Sequence, residues 1–321
     1  MHFRTIPPAP HHVVTIPSFW CLSSHTIDHS LLSLSHLCHF LVPLYPSRIM
    51  ATTQEQLETN VAWFDQQPTD SQIPAQTRQL LETYSGVPAE EVIEHVVTVR
   101  NEAWKIFPYP CIGQFRFLEP GIDELDEYRE AVERLQGGQK LLDMACCFGQ
   151  TIRRLVADEA PGENIYGCDL QPDFIQLGYK LFKDRGKLKS NFLTADIFDP
   201  RSSLVDLKGQ VDIVYAGSFF HLWGMEQQRE VSKAVFSLLR PQQGSLILGR
   251  QVGAVEAAEK ISATGAMYRH NVESFKKMWK ELGEELGVQL TVQAKLQTLK
   301  SDHFMVESDD TRRILFSVRR E

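Results

Sequence analysis

No stretch of this chain stays apolar for the ~20 residues that a membrane-spanning helix needs. Positive charge is not in excess either. Lysines and arginines number 33 against 41 acids, and the formal net charge of −8 argues against nucleic acid or an anionic membrane as a partner. The six cysteines, at positions 21, 38, 111, 146, 147 and 168, show no C-x-x-C spacing and no paired framework, so they read as reduced thiols of a cytoplasmic protein. Cys146-Cys147 has no further cysteine or histidine at ligand spacing, which favours small turn-formers over a metal or redox centre. Internal repeats are missing, and so is the G-x-G-x-x-G run of a dinucleotide site. What is present is a chain of 321 residues, 43% hydrophobic, enough for one large core with additions.

Residues 1–49 differ from the rest. They hold seven of the eleven histidines and only Arg4, Asp28 and Arg48 as charged groups. The apolar cluster around Leu31–Leu44 is broken by Ser, His and Pro and has no basic region directly before it, which fits a signal peptide poorly; arginines are too few for a transit peptide. At Met50 the composition changes to that of an ordinary soluble start, so Met50 is read as the initiator and 1–49 as leader or intron sequence. A disordered tail is the alternative. Peptide mapping upstream of Met50 in the native protein decides between them.

From Ser71 to Leu135 the pattern is helical. Pro88-Ala-Glu-Glu opens a helix with acids in its first turn, as the helix dipole favours, and carries it to Trp104. The aromatic, proline-broken run Phe107–Leu118 follows, then a helix over Ile122–Leu135 closed by Gly137-Gly138. This block, 50–138, is expected to cap the domain 139–321. There the pattern alternates strand and helix: strands ending at Asp143, Asp169, Asp196 and Tyr215, helices over Asp173–Lys183 and Glu226–Leu239, a strand Ser245–Gly249, a helix Val272–Leu286, and strands Val288–Val292 and Ile314–Val318. Such alternation predicts an α/β fold with a doubly wound, mostly parallel sheet.

The turn after the first strand, LLDMACCFGQ (141–150), narrows the ligand. Small residues there let backbone N–H groups and a helix N-terminus approach a bound molecule. An acid at its start, Asp143, repels a pyrophosphate but suits a cofactor bearing an ammonium and a sulfonium. Asp169 stands 26 residues further on, the separation at which an acid meets a ribose. Asp196 can accept from an adenine amino group, with Ile197 covering the ring. Plainer roles stay open: Asp143 as a cap of the following helix, Asp169 as an N-cap before Pro172, Asp196 as a turn residue. Together, three acids at three successive strand ends resemble the class I S-adenosylmethionine-dependent methyltransferases.

A closer resemblance comes from YPCIGQFRFL (109–118), LLDMACCFGQ (141–150), IYGCDLQPDFIQLGYKLFKD (165–184) and VDIVYAGSFFHLW (211–223). Together they are similar to fungal natural-product methyltransferases, nearest to those that esterify farnesylated aromatic acids in meroterpenoid pathways. The likeness spans about residues 55–320. It implies a seven-stranded sheet, S-adenosyl-L-methionine as cofactor, and a cofactor site from Asp143, Ala145, Gly149, Gln150, Asp169, Leu170, Asp196, Ile197 and Gly217. It implies a small-molecule prenylated aromatic acid as substrate, met by Tyr109, Arg116, Tyr268 and His270, and a homodimer. Two positions depart from the pattern: Ala145 where the family carries glycine, and Thr151 where it carries an acid. Alanine tolerates a left-handed turn less well, so either the turn is displaced or cofactor affinity is reduced.

A carboxylate acceptor is already ionised at neutral pH and needs no base; a water-excluded site favours its meeting with a sulfonium. Phe107, Tyr109, Phe115 and Phe117 could form an aromatic lid, or could pack the N-terminal helices on the sheet. A phenol acceptor needs a base, and His221 beyond the fourth strand is the best placed; a structural or orienting role is its other reading. Arg116 or Arg269 could pair with a substrate carboxylate. Two further functions remain in view: a phenolic O-methyltransferase, and a non-catalytic methyltransferase-fold regulatory protein.

Overall fold

The computed structural model describes residues 59–69, 72–262, 265–299 and 310–321, all within one compact unit. The reading of residues 1–49 as a leader lies outside the described residues.

Nine strands are present among them. β1 (Leu141–Met144), β2 (Ile165–Asp169), β3 (Asn191–Thr194), β4 (Ile213–Gly217) and β5 (Leu246–Ala254) run parallel, and β8 (Leu290–Thr298) and β9 (Thr311–Arg320) join antiparallel to give the order β3-β2-β1-β4-β5-β9-β8. The mostly parallel sheet expected from the alternation is therefore found, with the seven strands that the resemblance implies. β1 lies inside the sheet and is buried at every residue, as an apolar strand covered on both faces must be. The order reverses at β1: β2 lies on one side and β4 on the other, which opens a crevice at their carboxyl ends.

The helices are α1 (Ala75–Gln79, running on as a π turn to Tyr84), α2 (Val92–Ile106), α3 (Pro110–Gly113), α4 (Tyr128–Gln136), α5 (Gln150–Ala157), α6 (Pro172–Phe182), α7 (Met225–Leu238) and α8 (Val272–Leu286). One face of the sheet packs on α7 and α8 through Val231, Val235, Phe275, Trp279 and Leu282. The other packs on α4, α5 and α6 through Leu135, Ile152, Leu155 and Ile175. α2 buries Val92, Val96, Val99 and Ala103, spaced for one helical face, against α6. Phe115 and Phe117 join the same core, Phe117 meeting Phe148 edge to face at 4.8 Å. These two rings therefore pack the N-terminal block onto the turn after β1; Phe107 and Tyr109 stay half-buried beside it.

Three local expectations are corrected. Ile122–Leu135 is not one helix: a short 3₁₀ turn, Ile122–Glu124, precedes α4, because the Glu119 and Glu124 carboxylates hold this segment to Arg250 and Arg313. β5 continues past Gly249 through Arg250-Gln251, since β9 pairs with it along its whole length. A hairpin, β6 (Ala258–Ser262) and β7 (Gly265–Arg269), lies between β5 and α8, where the sequence reading places no element. Among the described residues no helix is long and apolar enough to cross a membrane.

Candidate active site

The loop from β1 to α5 takes the left-handed backbone three times at alternate residues: Ala145 (φ 57°), Cys147 (φ 52°) and Gly149 (φ 66°). Only the last is glycine. Alanine adopts the left-handed geometry at position 145, at a cost of about 1–2 kcal/mol. Ala145→Gly should relieve that strain. After allowance for the freer unfolded chain, a net gain of about 0.5–1 kcal/mol is expected, read as a higher urea midpoint. A lower midpoint would mean that the αL alanine is not strained, since only the entropic cost of glycine would then remain.

Arg153 on α5 fixes this loop. Its guanidinium, fully buried, donates from Nη1 to the Phe148 carbonyl at 2.8 Å and the Gly149 carbonyl at 3.3 Å. Nε and Nη2 donate to the two Asp184 oxygens at 2.9 and 3.0 Å. The Tyr84 hydroxyl donates to the same carboxylate at 2.9 Å, which ties in the N-terminal block. The sequence conceals Arg153, since an arginine in a helix ordinarily faces water; the glycine four residues earlier, against which it packs, is its one local signal.

The two acids deepest in the crevice behave differently from surface carboxylates. Asp143 is 3% exposed and its Oδ2 has no hydrogen-bond partner. Burial, and then the nearby Asp169 carboxylate, raise its pKa well above the usual range. Asp169 accepts the Cys147 N–H on Oδ2 (2.8 Å) and the Gln171 N–H on Oδ1 (2.9 Å). Those bonds partly offset the upward push of burial on its own pKa. Neither acid caps a helix through its side chain: Gly149 precedes α5 and Gln171 precedes α6, both without a side-chain cap. Asp196, exposed, does take a turn role by accepting the Phe198 N–H at 2.9 Å, at the end of β3. Ile197 follows it half-buried, and Leu170, beside Asp169, is 59% exposed. The Gln150 Oε1, at the start of α5, is buried without a partner. Gly217 ends β4, and a Cβ there would stand 2.7 Å from the Tyr215 ring.

Tyr109 comes to the same end of the sheet. Its ring lies 6.1 Å from Phe174, and burial, followed by Asp169, pushes its pKa up to about 12. Arg116 is hydrogen-bonded to Gln114 and ion-paired to Glu119 at 3.4 Å, so its charge is already engaged within its own segment.

Beyond β4 a second group forms. His221, in the short turn Phe220–Leu222, is 5% exposed, and its Nδ1 lacks a partner. Burial, then the Arg269 cation, lower its pKa to about 4. His270 is fully buried, with Nδ1 within 2.9 Å of Ser274 Oγ and Nε2 unpartnered; burial lowers its pKa to about 4 as well. Tyr268 packs on His270 at 4.7 Å, and its N–H donates to the Trp223 carbonyl at 2.8 Å, so the β6–β7 hairpin is laced to the turn that carries His221. The Arg269 Nη1 donates to Thr311 Oγ1 at 3.4 Å.

One end of the sheet thus offers two unpaired buried acceptors on an acidic turn, and two neutral imidazoles beside an arginine. The donor set suits a cationic amine on the first and an anion or polar aromatic on the second. Asp143 Oδ2 and Gln150 Oε1, orphaned and buried, fit an ammonium-bearing cofactor.

A family model for the meroterpenoid methyltransferase N-terminal domain matches residues 63–118, and one for a methyltransferase domain matches residues 142–246. The chain is 44% identical over 226 residues to the O-methyltransferase phiE of a fungal species, covering 69% of this chain and 75% of that protein. It is 40% identical over 280 residues to the O-methyltransferase atr3 of Stereocaulon alpinum, covering 85% and 80%. With the Asnovolin E/Chermesin D methyltransferase nvfJ of Aspergillus novofumigatus it shares 42% identity over 208 residues, 64% of this chain and 74% of that one.

Proposed function

The chain belongs to the family of S-adenosylmethionine-dependent O-methyltransferases that carry a meroterpenoid methyltransferase N-terminal domain, and we propose that it methylates the carboxylate oxygen of a prenylated aromatic acid. The substrate is a small molecule. When bound, S-adenosylmethionine supplies a methyl group already activated on a sulfonium. Asp143 accepts from the cofactor's ammonium, with Gln150 beside it; Asp169 takes the ribose hydroxyls on its remaining lone pairs. Asp196 meets the adenine amino group, Ile197 and Leu170 cover the ring, and Ala145, Gly149 and Gly217 keep side-chain bulk away. Residues 50–138 act as the cap over domain 139–321, with Tyr109 on the acceptor side and Arg116 holding the cap's own ion network. Tyr268 and His270 border the acceptor.

The observation that carries carboxylate over phenol is His221. Buried, unpartnered at Nδ1 and held neutral with a pKa of about 4, it is too weak a base to draw a proton from a phenol near neutral pH. The Arg269 cation beside it favours an acceptor that arrives as an anion. His221 then orients the acceptor. We also place the protein in the cytoplasm as a homodimer, readings that rest on the thiol content and the family resemblance.

The test supplies methyl-labelled S-adenosylmethionine and a farnesylated orsellinic-type acid to the full chain. Label that leaves on mild alkaline hydrolysis is an ester, the expected result, with a transfer rate level between pH 6 and 8. Base-stable label with a rate that climbs with pH would be a phenol ether, and would make His221 or another group a base.

A further inference from the structure

Gln251 is the residue that none of the preceding roles absorbs. It lies on β5, 1% exposed, and both its Oε1 and Nε2 are buried without a hydrogen-bond partner. An amide stripped of water on both atoms is costly unless something polar meets it, so a fold that retains one there keeps it for use.

The setting says for what. Side chains alternate along a strand, so Gln251 shares a face with Gly249 and Gly253. A Cβ on Gly249 would meet the Phe316 ring at 2.3 Å, and one on Gly253 would meet the His270 carbonyl at 2.6 Å. That is the face on which Phe220, Phe275 and Phe316 stack into an aromatic floor, with ring centroids 4.7 Å apart for Phe275–Phe316 and 5.9 Å for Phe220–Phe316. β5 also packs against the turn that holds His221 and against β7. Three side chains with open hydrogen-bonding capacity, His221, Gln251 and His270, therefore border one aromatic floor at the end of the sheet. Glycine two residues before and two after Gln251 is what lets the Phe316 ring and the His270 backbone close against the strand there.

We propose that Gln251 is a specificity-determining residue that reads a hydroxylated aromatic carboxylic acid, its Nε2–H donating to a carboxylate oxygen and its Oε1 accepting from a neighbouring hydroxyl. A planar amide offers one donor and one acceptor side by side, the complement of a carboxylate next to a hydroxyl group. The proposal rests on the carboxylate-acceptor reading and adds the residue that recognises the acid.

The experiment compares the wild type with Gln251→Leu and Gln251→Glu in the full chain. It measures KM for the farnesylated orsellinic-type acid, the Kd of S-adenosylmethionine, and Tm without substrate. Gln251→Leu is expected to raise KM roughly 10- to 100-fold, the loss of a hydrogen bond to a charged group. Cofactor Kd should hold within about twofold. Tm should stay level or rise by about 2–4 °C, because an unmet amide has been removed. Gln251→Glu should raise KM further, since it sets a carboxylate against a carboxylate. A Gln251→Leu protein with unchanged KM and a Tm several degrees lower would overturn the proposal: the amide would then be serving the fold. If the wild type methylates no such acid, the carboxylate-acceptor reading falls. The Tm comparison still decides Gln251: a level or higher value keeps it as a ligand-facing group, and a fall removes it.

Discussion

Arg153→Met is expected to lower the urea midpoint by roughly 1–2 M, the equivalent of about 3–5 kcal/mol, and to loosen cofactor binding with it. The guanidinium places its hydrogen bonds on Asp184, Phe148 and Gly149 and lies 5.0–5.4 Å from the ring centroids of Phe182, Tyr179 and Phe192. Methionine fills the volume but leaves the Asp184 carboxylate, itself fully buried in the pair, with the Tyr84 hydroxyl as its remaining side-chain donor. An uncompensated buried charge is the larger part of the loss. The double variant Arg153→Met/Asp184→Leu should therefore recover most of the stability, because replacing both members of a buried pair with apolar groups is often neutral. It should not recover cofactor affinity, since the Phe148 carbonyl would still lack its Nη1 donor and the Gly149 carbonyl would keep only the backbone N–H of residue 153. Arg153→Lys should fall between, as an ammonium cannot match two carboxylate oxygens and two carbonyls at once. A double variant as unstable as the single one would show that the pair is not the source of the effect.

Asp143→Asn is expected to weaken S-adenosylmethionine binding by roughly 10- to 100-fold while making the cofactor-free protein more stable. Both signs come from the same burial. With its pKa raised well above the usual range, Asp143 in the folded protein keeps a proton that the unfolded chain, titrating near ~4, has released. The folded state then binds more protons, so stability falls as pH climbs from about 4 toward the raised value. Asparagine has no such dependence. The wild-type Tm should therefore decline against that of Asp143→Asn across this window. The gain in wild-type Tm on adding cofactor should grow with pH, as an ionised carboxylate becomes available to a cation. Isothermal calorimetry at two pH values, with thermal melts beside it, reads both. Parallel Tm curves for the two proteins would sink the argument.

Much of this was legible in the chain. The strand ends at Asp143, Asp169 and Asp196 stood out because short apolar runs stopped at acids, and α8 ran from Val272 to Leu286 as its apolar spacing dictated. The left-handed turn was readable from its small residues, although alanine and cysteine rather than glycine occupy two of its three positive-φ positions. Other features were hidden for physical reasons. Arg250 and Gln251 sit in the middle of β5, where polar side chains look like the end of a strand. Pairing with β9, some sixty residues on, together with the end of β4 at Gly217, keeps the backbone extended there. The β6–β7 hairpin lacks a period-2 apolar pattern because its full burial comes at one end, at Arg269. The roles of Arg153 and Asp184 depend on two helices meeting, which no local spacing encodes.

The packing of α2 on α6 has a consequence for synthesis. The apolar face of α2 is complete at Ile106, but the helix that covers it ends at Phe182. At ribosomal rates of about 5–20 residues per second, that stripe waits roughly 4–15 s for its cover. For this interval Val92, Val96 and Val99 are a sticky surface on a nascent chain, and a holdase that shields them should raise the yield of folded enzyme more than one acting after release.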